Sequence, residues 1–262
     1  MTEIADAGGG AAATTEAERL ARESTEAFAE ALTAASPEVQ EEKLDEAQEA
    51  AEQSALAGAY THLQRVVGII AVLLPPVLVL GNMAFNGWVL KGSISAYYYT
   101  PMGSVFVGAL CALAVFFLSY NYRPLRGFEL DNILSTIASA AAVGVAVFPT
   151  TRNAGTASSG EKAVAFVHLA FAGSLFVLLA VFSYAMFTRS SGRMTERKRQ
   201  RNRLFRACGL VIAASIVLVL VSNAVDPPSE WHTLLWLETI CVVAFGVSWL
   251  VKSGFLGLLA DP

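Results

Sequence analysis

Six apolar segments, at about 66–86, 102–120, 132–149, 163–187, 207–225 and 234–251, constrain this chain more than any other feature. Each is near the roughly 20 residues that an α-helix needs to cross a bilayer. Lipid offers no hydrogen bonds to a bare backbone, so a crossing segment has to be a helix or part of a closed barrel. Unbroken apolar runs of this length select the helix. Charge agrees: 15% of the residues are charged, against roughly 25% in average soluble domains. The expected fold is all-α, a bundle of six transmembrane helices over residues 61–262, preceded by an acidic, partly helical extension over residues 1–60.

Residues 1–60 hold fourteen of the twenty-two acids and three of the eighteen bases, a net of −11 that leaves +7 for the rest. The overall acidity therefore belongs to the extension and identifies no partner for the apolar part. Residues 1–13 are rich in Gly and Ala and are expected to be disordered. From Thr14 to about Gly58 the Ala, Glu and Gln content favours helix. Ser36-Pro37 is a helix-start pair, which gives two helices, about 15–34 and 37–57. Leu20, Phe28 and Leu32 on the first, with Val39 and Leu44 on the second, form thin apolar stripes. Two readings stay open, a solvated acidic extension and a helix that binds a protein partner. Its sign of charge excludes attachment to an anionic membrane surface.

Within the apolar part, Pro75-Pro76 removes backbone donors in mid-segment and predicts a kink. Ala138, Ala142 and Ala146, flanked by Ser135 and Ser139, form a small-residue row that permits close helix approach and places the third segment centrally. The segment serines (Ser119, Ser135, Ser139, Ser174, Ser183, Ser215 and Ser248) are expected to hydrogen-bond across helices. Cys111, Cys208 and Cys241 lie in apolar runs and behave as small hydrophobes without a disulfide.

Lys and Arg in short loops mark the cytoplasmic side. Residues 188–206 carry eight of them, and Arg123 and Arg126 follow the second segment. The opposite loops hold Lys91, Arg152 and Lys162, and none falls between 226 and 233. Both termini are then expected to be cytoplasmic, in a plasma (inner) membrane. The acidic N-terminus shows no signal peptide, so the first crossing helix is expected to direct insertion. The basic loop 189–206 suits anionic lipid headgroups and needs no nucleic-acid partner.

This topology gathers polar groups at the outward ends of the segments. Asn82, Asn86, Tyr97, Tyr98, Tyr99, Thr100, Thr150, His168, Asn223, Asp226, His232 and Glu238 all fall there. Tyrosines at the start of an apolar run read as a membrane-water boundary. Ionisable groups inside a crossing segment are costly and are functional candidates, and His168 and Glu238 meet that description. They can pair with each other, and Arg152 or Lys162 can pair with Glu238. The candidate ligand-binding set is Tyr97, Tyr98, Tyr99, His168, Asp226, His232 and Glu238, and a polar network that only locks the helix ends together is the other reading of the same cluster. No metal or other cofactor is expected, because these ligand types lack a metal-site spacing such as HExxH.

GSISAYYYTPMGSVFVGALCALAVFFLSY (92–120), VAVFPT (145–150) and WLETICVVAFGVSWLVKSG (236–254) together resemble a family of uncharacterised bacterial multi-pass membrane proteins. The resemblance covers roughly 63–254, implies a membrane bundle and carries no activity to any residue. A looser similarity of layout links the chain to the Frag1/DRAM/Sfk1-like six-span proteins. The seven-span membrane hydrolases of the alkaline ceramidase and adiponectin-receptor type use three metal-binding histidines. Here His62 precedes the first segment, away from His168 and His232. The reading that follows is a non-enzymatic protein that binds or senses a lipid or small amphiphile. A metal-dependent lipid hydrolase and a small-solute or ion transporter are the alternatives.

Overall fold

A computed structural model of the chain describes residues 16, 19–27, 37–120, 129–153, 155–189, 194–225 and 228–255. Every regular element among them is helical: α1 (Pro37–Asn86), α2 (Gly103–Tyr120), α3 (Glu129–Val147), α4 (Ser159–Val181), α5 (Glu196–Val225) and α6 (Thr233–Lys252). Short 3₁₀ turns lie at Ser95–Tyr99 and Ser229–Trp231, and a π-helical turn at Phe182–Met186 continues α4. The chain divides into two units, Met1–Ala59 and Tyr60–Pro262.

In the first unit, residues 16 and 19–27 are helical, and Arg19 pairs with Glu23 one turn on at 3.7 Å. Leu20, Val39, Leu44 and Leu56 are exposed, so the thin apolar stripes remain uncovered. Phe28, Leu32 and Ser36 lie outside the described residues. The expected helix end near residue 57 is not found: α1 starts at Pro37 and runs unbroken to Asn86, past Gly58 and through Pro75 and Pro76. Residues 57–66 contain no helix breaker beyond one glycine, so propensity carries the helix across the change in polarity.

Among the described residues, four helices are long and apolar enough to cross a membrane: α1, α4 with its π turn, α5, and α6 with the turn before it. Two shorter apolar helices, Gly103–Ser119 and Asn132–Val147, each reach about 25 Å at 1.5 Å per residue, just under the ~30 Å hydrocarbon core. They account for the second and third of the six apolar segments. The expected basic loop before the fifth segment is corrected as well. Glu196 to Arg206 is the first part of α5, because Arg, Lys, Gln and Leu are all good helix formers.

Helices in lipid gain little from apolar burial against each other, so close approach and specific contacts decide their packing. Small residues supply the first. Ala138 and Ala142 are fully buried, Ala146 is nearly so, and Ser139 Oγ donates across to the Ala114 carbonyl of α2 at 2.8 Å. Gly246 of α6 faces α1, where an added Cβ would meet the Gly68 carbonyl oxygen at 2.9 Å. Gly209 of α5 abuts the π turn, with a Cβ there 2.8 Å from the Tyr184 nitrogen.

Aromatic edges supply the second. At the end away from the tyrosine loop, Trp249 meets Phe116 at 4.7 Å and Phe187 at 4.6 Å between ring centroids, both edge-to-face. Phe117 packs on Phe182 and Phe245, and Phe205 on Phe187. Such pairs contribute about 0.5–1.5 kcal/mol each beyond their burial. The carbonyls just after the π turn are capped from neighbouring helices, Phe187 by Lys252 Nζ at 3.4 Å and Thr188 by Asn202 Nδ2 at 3.5 Å.

The segment serines divide between the expected cross-helix role, taken by Ser139 and by Ser215 with Cys241 of α6, and a local one. Ser139 does bridge two helices, but Ser119, Ser174 and Ser248 donate to the carbonyl four residues back in their own helix. That local bond competes with any cross-helix partner. The three cysteines carry no disulfide.

Candidate functional site

The connection from α1 to α2, residues 87–102, is built almost entirely by side chains that satisfy backbone. Asn82, fully buried, donates from Nδ2 to the Val89 carbonyl at 2.9 Å, and its Oδ1 accepts from Asn86 Nδ2 at 3.0 Å. Gly87 has φ +75°, which turns the chain out of the helix at no steric cost. Ser93 Oγ then accepts the Ala96 amide at 3.0 Å and opens the 3₁₀ turn Ser95–Tyr99.

Glu238 closes this turn from another helix. Its carboxylate Oε2 accepts the Ile94 amide at 2.6 Å, and the Ser95 backbone hydrogen-bonds the same group. A carboxyl group offers two oxygens, so one side chain can accept both amides. Glu238 lies in the second turn of α6, so the bond fixes the loop to that helix across 144 residues of sequence.

The three tyrosines take three different environments. Tyr97 is fully buried, and its hydroxyl accepts the Lys91 amide at 3.5 Å. Tyr98 meets Tyr99 edge-to-face at 5.1 Å. The Tyr99 hydroxyl donates to the Thr150 carbonyl at 2.7 Å, and the Arg152 guanidinium lies 4.8 Å from its ring centre. Burial raises the phenols of Tyr97 and Tyr99 above their ordinary range, so both hydroxyls keep their protons near neutrality. The loop ends on Thr100, whose Oγ1 donates to the Tyr97 carbonyl at 2.7 Å and accepts the Met102 amide at 3.1 Å.

His168, buried in the third turn of α4, holds its Nδ1 2.6 Å from the Phe148 carbonyl. A carbonyl only accepts, so Nδ1 carries the proton there. That bond ties α4 to the chain leaving α3, two residues before Thr150. His232 precedes α6 with φ +46°, a left-handed conformation uncommon outside glycine. Its Nδ1 is buried without a hydrogen-bond partner among the described residues. Asp226 lies outside the described residues.

The structure therefore joins the tyrosine turn to Glu238, and Tyr99 to Thr150 and Arg152. It does not pair His168 with Glu238, since each takes a backbone group from another segment. Arg152, a candidate partner for Glu238 by sequence, lies instead at Tyr99. Among the described residues, no three His, Cys, Asp or Glu side chains converge as a metal site. Sequence reasoning missed the Ile94 and Ser95 amides as the partners of Glu238. The one legible signal was a lone glutamate early in an apolar helix.

The described residues form helices and turns without a strand, four of the helices are long and apolar enough to cross a membrane, and a side-chain latch holds the loop at one end of them. No family model, curated protein or solved structure matches this chain.

Proposed function

We propose that the chain is an integral membrane protein of six crossings that binds the headgroup of an anionic lipid or small amphiphile at the rim of the 87–102 loop, without catalysing a reaction on it. The observation that carries this reading is Arg152. Its guanidinium is exposed, seated on the Tyr99 ring, and has no ion-pair partner among the described residues. A weakly hydrated cation on an aromatic face is suited to phosphate or carboxylate. The aromatic rim suits the acyl-proximal part of an amphiphile.

Exposed aromatics support the depth of this rim. Trp88, Trp231, Trp236 and Phe85 all stand open to the surroundings at the same end, as interfacial anchors do. The six crossings take α2 and α3 as membrane-spanning alongside the four longer helices. The positive residues of α5 favour the cytoplasm for that opposite end, and the reading then has the tyrosine loop outside, in the plasma membrane.

Native mass spectrometry of the full chain, purified in mild detergent and delipidated, tests the reading. One anionic amphiphile is expected to survive delipidation, with Arg152→Gln lowering its occupancy about tenfold, the value of one charge-assisted contact. Unchanged occupancy in Arg152→Gln, or a wild-type chain that retains no anionic amphiphile, would overturn it.

A further inference from the structure

The opposite end of the molecule carries a second arrangement, on one face of α5. Arg199, Arg203 and Arg206 are spaced four and three residues apart, and steps of three or four residues continue through Leu210, Ala213, Val217 and Val221. Residues at that spacing share one helix face. All seven are exposed, while Phe205, Gly209, Ile212 and Ser215 on another face are buried. Because α5 is unbroken from Glu196 to Val225, the apolar stripe and the arginines are one continuous surface.

The lengths fit a bilayer. From Arg206 to Val225 the helix rises about 30 Å, the thickness of the hydrocarbon core. Arg206 then stands at the core boundary, with Arg203 about 4.5 Å and Arg199 about 10 Å further out, across the headgroup layer. Arg199 is paired with Glu196 at 2.9 Å. Arg203 and Arg206 have no ion-pair partner among the described residues.

We infer that Arg203 and Arg206, with Arg199 behind them, form a docking stripe for the headgroups of acidic phospholipids. The apolar continuation of the stripe takes the acyl chains, which separates this occupant from a soluble polyanion. Arginine suits the role because its planar fork bonds a phosphate through two donors. This surface is independent of the Arg152 rim and lies at the other end of the helices.

Delipidated full-length protein, titrated with phosphatidylglycerol or phosphatidylcholine and read by native mass spectrometry, tests the assignment. The wild type is expected to prefer phosphatidylglycerol, and each charge removed in Arg203→Gln/Arg206→Gln is expected to lower that preference by about fivefold. Arg203→Lys/Arg206→Lys is expected to keep the preference, which separates loss of charge from loss of packing. An equal affinity for the two lipids in the wild type, or a glutamine pair with unchanged preference, overturns the inference. So does inorganic polyphosphate displacing the phosphatidylglycerol at equal concentration, because the apolar stripe would then contribute nothing.

Discussion

Gly103→Ala is expected to unseat the tyrosine turn. An alanine Cβ at this position would press on the carbonyl oxygen of Tyr98, with the carbonyl carbon 3.1 Å away. Both are backbone atoms, so no rotamer change relieves the clash. Gly103 is also held in place by its own amide, which donates to the Thr100 carbonyl at 2.9 Å. The remaining relief is a shift of the Tyr98 peptide, and that carries Tyr97 out of its buried site and Tyr99 away from Thr150. Overpacking of this kind costs about 2–3 kcal/mol. Gly81→Ala is the internal control. Its Cβ would meet the Met102 thioether tip at 2.5 Å, and a flexible methionine can turn aside at a cost of about 1 kcal/mol or less. Thermal unfolding in detergent, followed by tryptophan fluorescence, should show a clear drop for Gly103→Ala and a small one for Gly81→Ala. Equal midpoints for the two variants would remove the close approach from the account.

Glu238→Ala is expected to release the same turn from its other side. Removing the carboxylate leaves the Ile94 and Ser95 amides without their acceptor, and an unsatisfied buried donor costs about 1–3 kcal/mol. The expected loss is about 2–4 kcal/mol for the pair. Glu238→Gln keeps one acceptor oxygen and should lose roughly half as much, since one of the two backbone bonds stays. Lys91 provides a local readout, because it is half-buried in the loop and three residues from Ile94. Trypsin should cut after Lys91 faster in Glu238→Ala than in the wild type, with Glu238→Gln between them. If all three are cut at one rate, the carboxylate is not what holds the loop.

Much of this architecture is legible in the sequence, for physical reasons. A lipid environment demands unbroken apolar length, so segments such as 207–225 announce themselves. The small-residue row Ala138, Ala142, Ala146 is equally open, because close approach has a fixed spacing. Helix ends are harder to read. Polarity changes sharply at Arg206 and near residue 60, yet α5 and α1 continue through those points because backbone propensity does not follow polarity. The cluster around Trp249 draws rings from α2, α5, α6 and the π turn with its Phe187 edge, and no local pattern predicts such convergence.

The site divides the same way. Tyr97, Tyr98, Tyr99, His168, His232 and Glu238 are visible as polar residues at apolar boundaries. Their partners are not, since Ile94, Phe148 and Thr150 contribute backbone atoms that leave no trace in residue type. Charge complementarity suggested His168 with Glu238, but a buried imidazole and a carboxylate are each satisfied at short range by a backbone group. The unpartnered Nδ1 of His232 at a left-handed residue is a feature that only coordinates reveal.

Both proposed lipid sites depend on the tyrosine loop and the arginine stripe lying on opposite faces of the membrane, with α2 and α3 crossing between the longer helices. The most direct test is cysteine accessibility in intact cells, in a chain whose Cys111, Cys208 and Cys241 are replaced by alanine. Single cysteines introduced by Trp88→Cys and Thr156→Cys should react with a membrane-impermeant maleimide from outside. Cysteines introduced by Arg126→Cys, between α2 and α3, and by Thr195→Cys, before α5, should react only after permeabilisation. Six crossings require that alternation. Labelling of Arg126→Cys in intact cells, alongside Trp88→Cys, would contradict it and reduce the crossings to the four longer helices.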